Sequence, residues 1–172
     1  KKTSTITISD KSRNGNILVA TNDNGFYVFN IYKKQWTHFV YDDKNSFSLK
    51  SNNVTWLYED HYVNFWICVE GGLDFYENET GRFYHTSPKS NGNFTTFGEE
   101  MFLEDKEHKI WMAPSGHGIV TCEPVTKKFI SFRTDSTNKN SLRTGAVACI
   151  FQKQSAELFI SCHTVVAVFN EK

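Results

Sequence analysis

The sequence predicts an all-β protein made of small four-stranded antiparallel sheets repeated along the chain. Three observations predict it. The apolar residues suit pleated, half-buried surfaces: there are 15 Phe, 7 Tyr and 4 Trp, and Val, Ile and Thr fill the remaining runs. The runs are too short for helices, and Gly and Asn punctuate them. Finally, the runs recur at a nearly constant spacing.

The recurrence is clearest at four segments: Gly15 to Ala20, Val63 to Cys68, His108 to Ala113 and Ala156 to Ser161. Each carries a large apolar anchor, Leu18, Trp66, Trp111 or Phe159, at spacings of 48, 45 and 48 residues. Six residues before the second and third anchors stand Asp60 and Asp105, each closing a Glu-Asp pair. The fourth copy has Lys153 there. In the first copy the Asp is Asp10, eight residues before Leu18, which predicts a hairpin two residues longer. Beyond the anchors come Gly25-Phe26, Gly72-Leu73, Gly118-Ile119 and Val165-Val166, each opening an alternating run. An aromatic follows at Trp36, Phe83 or Phe129, with Phe39, Tyr84 and Phe132 just beyond.

The second repeat divides into strands at Val54 to Glu59, Phe65 to Val69, Leu73 to Tyr76 and Arg82 to Thr86. Four antiparallel strands repeated at roughly 40–50 residues describe a β-propeller blade. The expected blades span about 1–40, 50–88, 99–135 and 146–172, the last with three strands. The fold class is therefore β-propeller, about four blades, incomplete. Such a fragment is completed either by the remaining blades of a larger chain or by self-association. The rings at Trp66, Trp111 and Phe159 are expected to wedge successive sheets as core.

Composition narrows the function. Lys+Arg is 19 and Asp+Glu is 19, so no net charge draws the chain toward nucleic acid or an anionic membrane. No apolar run is long enough to span a bilayer. Lys1 to Thr5 contain neither an initiator Met nor a hydrophobic leader, so the N-terminus is read as processed or excised. Cys68, Cys122, Cys149 and Cys162 form no C-x-x-C pair and are expected as buried free thiols. The 6 His show no zinc-binding spacing, so no metal or cofactor is expected. No G-x-S-x-G elbow or P-loop occurs. Glu59-Asp60 and Glu104-Asp105 are adjacent strand residues and point to opposite faces. Their recurrence predicts turn-making carboxylates that accept backbone N–H bonds, not acid–base pairs. No catalytic residue is expected.

Candidate ligand contacts lie in the turns between second and third strands: Asn24, Glu70, His117 and His163. The connections at 41–53, 86–98 and 133–145 are rich in Ser, Asn, Asp and Lys. Such a composition either hydrogen-bonds sugars or simply solvates a loop.

The runs Trp56-Leu57-Tyr58-Glu59-Asp60, Phe65-Trp66-Ile67 and Gly72-Leu73-Asp74-Phe75-Tyr76 resemble the two-component regulator propeller repeat. Phe102-Leu103-Glu104-Asp105, Ile110-Trp111-Met112 and Gly118-Ile119 repeat the likeness, as do the loops Ser48 to Val54 and Asn140 to Leu142. The turn Gly of that repeat stands at Gly15 but is Val63, His108 and Ala156 in the other copies. The resemblance implies a non-catalytic, periplasmic sensor segment of a hybrid two-component system of Bacteroides type. It also implies an oligosaccharide ligand or dimerisation as the signal. Kinase, phosphoacceptor and DNA-binding parts of such systems lie on other segments. The alternatives are a propeller lyase or hydrolase acting on glycans, and a protein–protein scaffold. A scaffold of the Trp-Asp repeat kind lacks its dipeptide here.

Overall fold

The structure, a computed structural model, describes residues 4–86, 102–114, 118–142, 145–153, 157–162 and 165–169. The chain forms two compact units, Lys1–Thr95 and Thr96–Lys172. The first holds two antiparallel meanders. One runs β1 (Ile6–Lys11), β2 (Ile17–Thr21), β3 (Phe26–Asn30), β4 (Gln35–Phe39); the other runs β5 (Val54–Glu59), β6 (Phe65–Val69), β7 (Gly72–Glu77), β8 (Arg82–Thr86). The second unit holds β9 (Phe102–Glu104), β10 (Ile110–Met112), β11 (Ile119–Glu123), β12 (Lys128–Phe132), and the three-stranded β13 (Cys149–Gln152), β14 (Leu158–Cys162), β15 (Val165–Phe169). No helix occurs among the described residues, and none is long and apolar enough to cross a membrane. These are propeller blades of the predicted kind. In the second repeat β5, β6 and β8 have the predicted bounds, and β7 gains one residue at each end.

Period-two alternation sets each core. All five residues of β6 are buried, so both faces of this strand are covered. Phe65, Ile67 and Val69 join Val54, Leu57 and Phe83 against Leu18, Ala20 and Phe26 of the first sheet. Phe39 stacks on Phe26 at 4.6 Å. In the second unit Trp111, Ala113 and Ile119 pack with Ile150, Leu158, Ile160 and Cys162. Burying each large side chain contributes roughly 1.5–3 kcal/mol.

The anchors are not equivalent wedges. Leu18 and Trp111 lie in the cores between paired sheets. Trp66 is buried on the other face of β6, its ring 4.6 Å from that of Phe75. Phe159 is only half-buried and faces away from Leu158 and Ile160, which fill the core in its stead. Trp36 lies on the outward face of the first sheet and is 57% exposed.

The first hairpin is not longer than the others. Asp10 pairs with Leu18 inside the β1–β2 ladder. Ser12 takes the turn position, with Ser12 N–H donating to the Asn16 carbonyl at 2.8 Å. Asp60 to Asn64 and Asp105 to Lys109 close the same loop, each at 3.0 Å. Residue type alone suggested Asp10; the geometry follows the six-residue spacing.

The two units repeat each other with a constant shift of 93 residues. Arg13 N–H donates to Glu59 Oε2 at 2.6 Å, and Lys106 N–H, 93 positions on, donates to Gln152 Oε1 at 3.0 Å. Gly25 N–H reaches the Asn52 carbonyl at 2.9 Å, and Gly118 N–H reaches that of Gly145 at 3.1 Å. Each bond ties a turn of one sheet to the next.

Candidate functional site

Antiparallel pairing puts the β2–β3 turn, the β6–β7 turn and the 41–53 connection at one end of the first unit. Glu70 N–H donates to the Asn53 carbonyl, and Lys50 Nζ to that of Gly71, at 3.0 and 3.2 Å. The polar residues of the connection are largely committed to its own shape. Asp42 N–H donates to Ser48 Oγ at 2.9 Å, Lys44 N–H to Asp42 Oδ1 at 3.0 Å and Phe47 N–H to Asn45 Oδ1 at 3.0 Å. The same set recurs 93 residues on: Asp135 with Ser141 at 3.0 Å, Thr137 with Asp135 at 2.9 Å, Asn140 with Asn138 at 3.0 Å.

Of the predicted contacts, Asn24 is half-buried and its Nδ2 donates to Tyr27 Oη at 2.6 Å. His38 Nε2 meets the Asn24 carbonyl at 2.8 Å while its ring stacks on Tyr27 at 4.0 Å. Glu70 is exposed at the β6–β7 turn. His117 and His163 lie outside the described residues.

A cluster that the sequence did not single out lies beside Glu70. Asp74 is fully buried in β7, opposite Ile67 and His85. Its Oδ2 accepts Lys50 N–H at 2.7 Å and its Oδ1 meets His85 Nδ1 at 2.9 Å. Burial raises its pKa, and the His85 and Lys50 hydrogen bonds oppose that rise. The carboxylate anchors the connection to the sheet and holds an imidazole that is 36% exposed. The readable signal was a charge inside Leu73-Asp74-Phe75, on the face of Ile67.

The turn carboxylates accept backbone N–H groups as predicted: Asp60 from Tyr62 and Asn64, Asp105 from Glu107 and Lys109, all at 2.9 Å. Each also binds its anchor indole, Trp66 Nε1 at 3.0 Å and Trp111 Nε1 at 2.7 Å. That bond gives Asp60 and Asp105 a structural role. Cys68, Cys122 and Cys162 are buried free thiols as expected, whereas Cys149 is half-buried.

The second unit contains a cavity of about 330 Å³, with an apolar floor that includes Trp111, Phe132 and Phe169. Asp135, Asn138 and Ser141 line its polar side.

No known protein family matches the sequence, and no curated protein matches it. The folded chain is similar to the extracellular domain of the hybrid two-component system BT3049 from B. thetaiotaomicron: TM-score 0.68, 18% identity, 96% of this chain and 22% of that one. The extracellular domain of BT4673 from the same organism gives TM-score 0.66 and 20% identity over 97% and 22% of the two chains. Virginiamycin B lyase from Staphylococcus aureus gives 0.66 and 11% identity over 98% and 56%. These likenesses establish the blade architecture. The hybrid two-component neighbours are of the class that the repeat resemblance points to, and this chain spans 22% of their length.

Proposed function

We propose that the chain is a non-catalytic segment of an extracytoplasmic sensor propeller. On this reading the propeller recognises an oligosaccharide at the end that carries Asn24 and Glu70, with His117 and His163 as further contacts. The observation that carries it is the likeness of 96–98% of the chain to sensor extracellular domains. Glu70 is exposed on a turn pinned to Asn53, and a carboxylate of this kind accepts hydroxyl hydrogen bonds, which supports the reading. Periplasmic location and membership of a hybrid two-component system follow from the same reading.

The test uses the protein at its full natural length. Soluble oligosaccharides are titrated calorimetrically, and each mixture is then analysed for cleavage products. Binding without turnover is expected, with Glu70→Ala weakening it roughly tenfold, the worth of one charged hydrogen bond. A panel that is neither bound nor cleaved sinks the ligand assignment. Cleavage would instead favour the second reading, a propeller lyase, which the likeness to virginiamycin B lyase keeps in view.

A further inference from the structure

In the first unit a cavity of about 160 Å³ opens between the β1–β2 turn and the end of β5. Leu18, Leu57 and Tyr58 line one side of it, and Asp10, Arg13 and Glu59 line the other. Glu59 is only 6% exposed. Its Oε2 accepts Arg13 N–H at 2.6 Å, but its Oε1 has no hydrogen-bond partner among the described residues. The Ser12 hydroxyl adjoins Glu59, yet its single proton goes to Asn14 Oδ1. Burial raises the Glu59 pKa; Arg13 and Ser12 oppose that rise, and Asp60 adds to it. A buried acceptor without a donor needs a cause.

The 93-residue repeat supplies the cause. The counterparts of Ser12, Leu18 and Glu59 are Asp105, Trp111 and Gln152. There the indole shares a core with Ile150, the counterpart of Leu57, and its N–H reaches Asp105 Oδ2 at 2.7 Å. The second sheet is built alike, with Trp66 Nε1 donating to Asp60 at 3.0 Å. The first sheet has a serine for the carboxylate and a leucine for the indole, which leaves open the space of a ring and its N–H donor. The facing wall differs too: where the second unit has the neutral Gln152, the first has the carboxylate of Glu59.

We propose that this cavity binds a small organic cation, a primary ammonium on an apolar body about one ring in size, in the place of the missing indole. The ammonium donates to Glu59 Oε1, and the body lies on Leu18 and Leu57. A cavity of about 150 Å³ is enough to hold a benzene ring. Glu59 repels an anion, and an uncharged apolar guest leaves its Oε1 without a donor. A bare metal ion meets one open carboxylate oxygen and two leucines, too few ligands to hold it. Asp10 is exposed and adds negative charge at the mouth; Lys11 and Arg13 are exposed there as well, and Arg13 Nη2 donates to Tyr58 Oη at 3.4 Å. The β1–β2 turn lies at the opposite end of its sheet from the β2–β3 turn that carries Asn24, so this site is separate from the one assigned to the oligosaccharide.

The test titrates benzylammonium, benzyl alcohol and toluene calorimetrically into the protein at its full natural length. Benzylammonium is expected to bind with a Kd on the order of 1 mM or below, and the two uncharged probes roughly tenfold more weakly or worse. Glu59→Gln weakens benzylammonium roughly tenfold, the worth of a charged hydrogen bond, and leaves toluene unchanged. Ser12→Asp combined with Leu18→Trp rebuilds the arrangement of Asp105 and Trp111, fills the cavity and abolishes binding of all three probes. Should that double variant not fold, the Glu59→Gln comparison decides alone. No binding of benzylammonium at about 10 mM, equal binding of the three probes, or an affinity indifferent to Glu59→Gln overturns the proposal. The glycan screen does not bear on these outcomes, so the two proposals fail separately.

Discussion

At Asp60 and Asp105 one carboxylate closes a turn and grips an indole, and the chain itself contains the controls. Where the Asp becomes Lys153 the anchor is Phe159, and where it becomes Ser12 the anchor is Leu18. Neither replacement anchor has an N–H to satisfy, as expected if buried donors are kept only when paired. Asp105→Ala should cost on the order of 3 kcal/mol, because it orphans the Trp111 N–H and two backbone donors. Trp111→Phe should cost about 1–2 kcal/mol, and the double variant less than the sum. Additive losses in denaturant titrations would break the pairing argument. Asp74 gives a pH prediction. Burial raises its folded pKa above the ordinary value of 3.8, so the folded state holds the proton more tightly than the unfolded chain. Its contribution to stability is then greatest below that value and is lost as pH rises toward the raised folded pKa. Relative to Asp74→Asn, the parent should lose stability over that rise; a constant difference would refute it. The sequence made the turn carboxylates legible, because Asp at a turn has a local role. It hid Asp74 and the indole bonds, because those depend on which side chains meet across a sheet.

A hairpin here is defined by where the chain must turn left-handed. Gly15, Val63 and His108 occupy one position, three before the anchor, at φ 86°, 63° and 65°. A β-branched residue there is strained by roughly 1–2 kcal/mol, part of which Gly returns as unfolded-chain entropy. Val63→Gly should therefore leave the protein as stable or up to about 1 kcal/mol more stable, read from the urea midpoint. A loss beyond about 1 kcal/mol would show that the valine side chain contributes packing that this account omits. The second-to-third strand turn is less forgiving. A Cβ at Gly25 would sit 2.0 Å from the Phe39 carbonyl oxygen, and one at Gly118 would sit 2.3 Å from that of Phe132. Gly25→Ala should unfold or shift the connection, costing about 3 kcal/mol or more, and a wild-type melting curve would contradict it. Strand positions were readable because period-two alternation and turn residues are local signals. The first hairpin was misplaced because Asp10 offered the right side chain at the wrong spacing.

The alternation of 48 and 45 residues between anchors carries more than a blade count. Leu18 pairs with Val28 and Trp111 with Thr121, ten residues apart; Trp66 pairs with Phe75 and Phe159 with Val168, nine apart. The repeating element is thus a pair of unlike sheets, and its bonds recur at the 93-residue shift. Reading the chain as equal blades made the architecture visible but not this pairing, since the turn contributes only one of the three residues by which the spacings differ. Among the described residues β15 is paired on one side only, whereas its counterpart β7 is flanked by β8. An exposed strand edge bearing Val165, Val166 and Val168 is a template for other strands. The free chain should therefore self-associate with rising concentration in analytical ultracentrifugation. Val166→Lys should suppress this while moving the melting temperature by less than about 2 °C, because the side chain is 62% exposed and absent from the cores. Equal association by both proteins would locate the sticky surface elsewhere; the outward face of the first sheet, with Trp36 and Ile17, would be the next to test by the same substitution.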